Sequence, residues 1–115
     1  MPEYKGVCHC GAIEWTAEIP EEKHILCHCG ACKLMGGGEF TLNQIIPKSN
    51  FHLTKGDLKV YSYKGDSGDD KIVIRTGLLK GSDKWGKPAA EIYDKDRASW
   101  LPQTADASFP VVPPS

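Results

Sequence analysis

After Cys32 the chain has no cysteine: five fall within the first 32 residues and none in the remaining 83 of its 115. Charge of one sign is also lacking, with 14 Lys plus Arg against 15 Asp plus Glu and a formal net charge of −1. A nearly neutral chain without a basic run has no electrostatic reason to seek DNA, RNA or an anionic membrane surface. No apolar stretch approaches membrane-spanning length, and MPEYKGVCHC lacks the charged-then-apolar layout of a signal peptide. These absences set the expectation of a cytoplasmic protein with no nucleic-acid or membrane partner.

In a reducing compartment, clustered cysteines read as metal ligands or catalytic thiols before they read as a disulfide framework. The odd number agrees, since full pairing within one chain leaves a thiol over. The clusters are Cys8 with Cys10 in VCHCGAI, and Cys27, Cys29 and Cys32 in LCHCGACK. For the second cluster metal ligation competes with redox thiols and with inert buried cysteines. For the first, two ligands alone do not make a zinc site.

Helical periodicity is scarce. Ile13, Trp15, Ala17 and Ile19 alternate with Glu14, Thr16 and Glu18, the period-two pattern of a half-buried strand. Further short strands are expected at 24–27, at 40–44 with Phe40, Leu42 and Gln44 alternating, at 51–53, 58–63 and 72–74, and at 89–93. Glycine-rich turns separate them, among them the glycines at 36, 37 and 38. This gives a mainly β domain over residues 1–101. Residues 102–115 carry four prolines, which remove backbone donors and fix φ, so this stretch reads as a tail that does not join a sheet easily.

Cys-x-Cys-x-x-Cys can bring three sulfurs to one ion only if the backbone curls. Neighbouring ligands of a tetrahedral zinc lie about 4 Å apart, whereas alternate residues of a strand are separated by about 6.6 Å. Gly30 permits the curl. Three thiolates leave a fourth position open, the arrangement of a working zinc. His28 sits between two of the ligands, and adjacent side chains diverge, so it is poorly placed to bind the same ion. His9 stands in the same relation to Cys8 and Cys10, while His24 and His52 belong to no motif.

These residues resemble the glutathione-dependent formaldehyde-activating enzymes and the related centromere protein V domains. The resemblance covers residues 4 to about 100. It rests on Gly6-Val7-Cys8-His9-Cys10-Gly11-Ala12, on Cys27-His28-Cys29-Gly30-Ala31-Cys32, on the glycines at 36–38, on Phe51, Gly56 and Tyr61, and on Gly65-Asp66-Ser67-Gly68. Lys87-Pro88-Ala89-Ala90-Glu91-Ile92 and Ser99-Trp100-Leu101-Pro102 fit the family's closing phrases. The resemblance implies a small zinc-binding beta-tent domain of short antiparallel strands. It implies a reactive zinc on Cys27, Cys29 and Cys32, and a structural zinc half-supplied by Cys8 and Cys10. The other half, a later cysteine pair, is absent, so the site is expected to be incomplete and one hairpin, about twenty residues, to be missing. Asp66, Asp69, Asp70, His9 or a homodimer joining two Cys8–Cys10 pairs are candidate substitutes. The implied function is carbon–sulfur lyase chemistry on adducts of a small-molecule thiol such as glutathione with formaldehyde or a similar aldehyde. The alternatives are a noncatalytic zinc-binding module, a degenerate family member, or a redox protein whose cysteines exchange disulfides.

Overall fold

The computed structural model describes residues 2–58 and 70–113. Among them the elements run β1 (Glu3–Val7), β2 (Glu14–Glu18), β3 (Ile25–Cys27), α1 (Gly30–Gly36), β4 (Thr41–Pro47), β5 (Phe51–Lys55), β6 (Lys71–Arg75), β7 (Ala90–Ile92) and β8 (Ala107–Ser108), with single 3₁₀ turns between some of them. The fold is mainly β. The chain divides into two compact units, Met1–Glu22 with Ile45–Lys84, and Lys23–Gln44 with Trp85–Ser115.

In the first unit, β1, β2 and β5 form an antiparallel sheet in that order. The alternation in the sequence decides its faces: Trp15, Ala17 and Ile19 are buried, while Glu14, Thr16 and Glu18 are partly exposed. The Trp15 ring packs against Phe51 with centroids 5.2 Å apart. Gly6 lies opposite Trp15 in the β1–β2 register. A Cβ built on Gly6 would stand 2.2 Å from the indole, so the close approach of strand and ring needs glycine here. After β6, the turn Thr76–Leu78 leads to Leu79, which is buried and bridges to Gly6.

In the second unit β3 is central. It pairs antiparallel with β4, Cys27 opposite Thr41, and parallel with β7, Cys27 opposite Ile92. β7 in turn pairs parallel with β8. The parallel pairs are not legible in the sequence, because periodicity reports which face is buried and not strand direction. Around β4 the sequence suggested Phe40, Leu42 and Gln44 as one face, but the buried side chains of the strand are Thr41, Asn43, Gln44 and Ile46, and Phe40, just before it, is exposed. Hydrogen bonds explain the burial of polar groups. Asn43 Nδ2 donates to Ile25 O, Thr41 O and Thr41 Oγ1, and Gln44 Nε2 donates to Lys23 O.

Three expectations need correction or placement. The stretch from 28 to 37 is not only turn: α1 follows the cysteine cluster and closes at Gly37, whose φ of 74° is left-handed and whose N–H bonds Lys33 O. The proline-rich stretch does join the sheet. Its residues 107 and 108 lie between Pro102 and Pro110, where donors are intact, and pair with β7; Phe109 N also donates to Glu91 O, and Ala105 is buried. The expected strand at 58–63 and the missing hairpin near Gly68-Asp69 fall almost wholly outside the described residues.

Candidate metal centre

Cys27 ends β3, Cys29 precedes α1, and Cys32 lies in the helix's first turn. Cys29 has extended backbone, φ −61° and ψ 156°, and acts as the helix N-cap: its Sγ accepts from Cys32 N at 3.3 Å. The change from strand to helix at Cys29 is the curl that the motif demands. It brings the three Sγ atoms within 4.8 Å of one another. Cys27 and Cys32 are buried and Cys29 half-buried.

The protonation of these thiols follows from their crowding. The hydrogen bond with the Cys32 thiol, together with burial, pushes the Cys27 thiol far above the ordinary range. Burial, then the Cys32 thiol, pushes Cys29 up as well. Without a cation Cys27 and Cys29 therefore hold their protons. A divalent cation replaces them, because coordination favours the thiolate. Zn–S bonds of about 2.3 Å place sulfurs about 4 Å apart, so the donor set and its spacing fit zinc.

His28 is fully buried, and its ring belongs to a different network. Nε2 lies 2.7 Å from Glu91 Oε1, both side chains being 0% exposed. Glu91 Oε1 is also 3.4 Å from Arg97 Nη1, and Oε2 accepts from Ala105 N at 2.8 Å and from Thr104 N. Burial alone would raise the Glu91 pKa. The donations from Ala105 N, His28, Thr104 N and Arg97 outweigh it and hold the carboxyl below its usual value. A carboxylate only accepts, so His28 Nε2 carries the proton of their bond. His28 Nδ1 is buried and has no hydrogen-bond partner among the described residues. Because His28 stands between two of the cysteines, tying its ring to Glu91 also fixes the backbone that spaces them.

Cys8 and Cys10 fall in the turn after β1. Their sulfurs are 3.4 Å apart, and Cys8 Sγ also accepts from Ile13 N at 3.2 Å. The Ile13 N–H, then the Cys10 thiol, lowers the Cys8 pKa. Among the described residues Cys27, Cys29 and Cys32 form the only cluster of three metal-type donors, so neither His9 nor Asp70 joins Cys8 and Cys10 in one. Asp66 and Asp69 lie outside the described residues. His24 is buried with its ring centroid 5.0 Å from Trp85, and His52 is exposed, 3.7 Å from Glu18. Sequence reasoning missed Glu91, Arg97 and the donors at 104 and 105. The signals at Glu91 were its place in the 87–92 phrase that fits the family and an acid at the middle of an expected strand, which on its own points equally to a solvated face.

A short β-sheet ending in a strand-to-helix curl with three convergent thiols defines a β domain with a candidate metal site. The chain matches the family model described as glutathione-dependent formaldehyde-activating enzyme over residues 3–71, and it belongs to that family. It is also similar to an uncharacterized lyase of Schizosaccharomyces pombe, 45% identical over 40 residues, which is 35% of this chain and 29% of that protein. Among the described residues no helix is long and apolar enough to cross a membrane.

Proposed function

We propose that the chain is a zinc-dependent carbon–sulfur lyase-like enzyme acting on adducts of glutathione, or a similar small thiol, with formaldehyde or another small aldehyde. The observation that carries this reading is the convergence of three cysteine sulfurs within 4.8 Å, with no fourth protein donor beside them among the described residues. Family membership and the lyase-named relative support it.

Cys27, Cys29 and Cys32 would hold the zinc. When bound, zinc supplies a Lewis acid that keeps an incoming thiol deprotonated, and the thiolate is the nucleophilic form. In the synthetic direction the thiol sulfur forms the C–S bond with the aldehyde carbon, the thiol proton is released, and the carbonyl oxygen gains a proton. The lyase direction reverses each change. Cys29 shapes the site twice, as a ligand and as the cap that starts α1. His28 and Glu91 hold the loop in its curled form, so that the ligands need not be ordered anew on binding.

The test is cobalt substitution of the purified chain. Thiolate-to-cobalt charge-transfer bands are expected, and they should shift on addition of glutathione, with formation of S-hydroxymethylglutathione followed by NMR. Bands indifferent to thiol, together with no product above the uncatalysed rate, would make the chain a noncatalytic zinc module.

A further inference from the structure

The cysteines at 8 and 10 are not used by that chemistry, and the described residues bring them no third donor. Their geometry is nonetheless specific. Two residues spaced i and i+2 on a strand would hold their side chains about 6.6 Å apart along it. Here the chain turns instead: Gly11 N donates to Cys8 O at 3.0 Å and Cys8 N to Ile13 O at 3.1 Å. The turn brings the two sulfurs to 3.4 Å. Cys10 is exposed and Cys8 partly so. A cavity of about 540 Å³ opens beside them, lined by Val7, Cys8, Cys10, Leu78, Leu79 and Lys80 among others.

We propose that Cys8 and Cys10 form a redox-active dithiol that closes to an intramolecular disulfide in exchange with low-molecular-weight disulfides. The cavity gives such a molecule access to the sulfurs. Cys8 Sγ, held 3.2 Å from Ile13 N, is assigned as the attacking sulfur and Cys10 Sγ, 3.4 Å from it, as the resolving one.

The exchange has two steps. Cys8 sulfur attacks one sulfur of the small disulfide, the S–S bond of the reagent breaks, and one thiol leaves. Cys10 sulfur then attacks Cys8 sulfur, the mixed disulfide breaks, and the second thiol leaves. The two protons of the dithiol end on the two released thiols. One small disulfide is reduced for each protein disulfide made. A disulfide bond is about 2.05 Å long, so the sulfurs must approach by about 1.4 Å. A ring closed across a single intervening residue is strained, and strained disulfides are the readily reduced ones. Closure should therefore be reversible by excess monothiol.

The experiment incubates the full chain with glutathione disulfide, blocks remaining thiols by alkylation, and cleaves after lysine. Cys8 and Cys10 then travel in the peptide 6–23, and Cys27, Cys29 and Cys32 in the peptide 24–33. The expected result is a 6–23 peptide lighter by two hydrogens and free of alkyl groups, with two equivalents of glutathione released. Excess reduced glutathione should restore both alkylation sites. Cys10→Ser should stop the reaction at one glutathione on Cys8. A native chain that accumulates the mixed disulfide without closing would overturn the proposal, as would 6–23 peptides linked between chains. Protection of both thiols from oxidation and alkylation by a second bound metal ion would overturn it too.

Discussion

Glu91 is the residue whose environment is most at odds with its position in the sequence. A carboxylate with no solvent exposure accepts from two backbone N–H groups, from His28 and from Arg97. Glu91→Gln keeps the shape but replaces one accepting oxygen by an NH2 that faces donors. The expected loss is about 1.5–3 kcal/mol in urea unfolding. Its pH dependence has a definite sign. The folded pKa lies below the ordinary value of 4.5, so on acidification the unfolded chain takes up this proton first. The stabilisation is complete above about 4.5 and is lost as pH falls through the folded value. The native chain, stripped of metal, should lose stability in that window more steeply than the Gln variant; parallel slopes would refute the assignment. His28 poses a separate question. Its geometry next to Cys27 and Cys29 already argued from the sequence against ligation, and its ring is engaged with Glu91. Cys29→Ser should therefore weaken zinc binding more than His28→Ala, measured by competition with a chromophoric chelator. Equal losses would make His28 a ligand. In the first unit, Gly6→Ala should cost about 1–3 kcal/mol, since the added methyl meets the Trp15 ring and the core must shift. Thermal unfolding of the variant measures this directly.

At the level of elements, what could be read from the chain depended on whether a single period was written into it. β2 carries strict alternation, and its buried face is the expected one. β4 carries a mixed pattern: the consecutive Asn43 and Gln44 face opposite sides of the strand, and hydrogen bonding lets both be buried. The site motif was legible because Cys-x-Cys-x-x-Cys imposes a curl on any backbone that brings its sulfurs together. That the curl would be made by a helix cap was not legible, since a seven-residue helix containing two glycines has little intrinsic propensity. The C-terminal stretch was misread for a related reason. Proline counts describe where donors are missing, but the residues between the prolines decide whether a short strand forms. Removal of residues 102–115 should consequently be costly rather than neutral. It deletes β8 and takes the Thr104 and Ala105 donors from Glu91. A buried carboxylate left short of two charge-assisted bonds loses about 3 kcal/mol or more. Urea unfolding of the truncated chain checks this, and an unchanged midpoint would show that the segment only rests on the sheet.

The whole molecule raises the question of how many metal ions it carries. The family match ends at residue 71, yet Glu91, Arg97 and the 104–105 donors that brace the cysteine loop all lie beyond it. The chain thus braces the candidate metal site at Cys27, Cys29 and Cys32, while only two thiols stand at Cys8 and Cys10. Structural zinc contributes about 10–16 kcal/mol of apparent binding energy in small peptides, and a whole domain is stable by about 5–15 kcal/mol. A domain lacking one such site must be stabilised otherwise, and the buried Trp15, Ala17, Ile19, Ile74 and Leu79 of the first unit supply an apolar core without metal. One zinc per chain is therefore expected by elemental analysis of the purified protein. Cys27→Ser should lower that number, and Cys8→Ser should leave it unchanged. Binding must displace protons from thiols whose pKa values are raised at Cys27 and Cys29. Apparent zinc affinity should accordingly fall as pH is lowered, and proton release on titration should be measurable by calorimetry in buffers of different ionisation enthalpy. Three zincs per dimer, with dissociation on chelation, would instead mean that two Cys8–Cys10 pairs meet across a shared site. Two zincs in a monomer would direct attention to Asp66 and Asp69, which lie outside the described residues, as the missing ligands, and would refute the reading of Cys8 and Cys10 as a free pair.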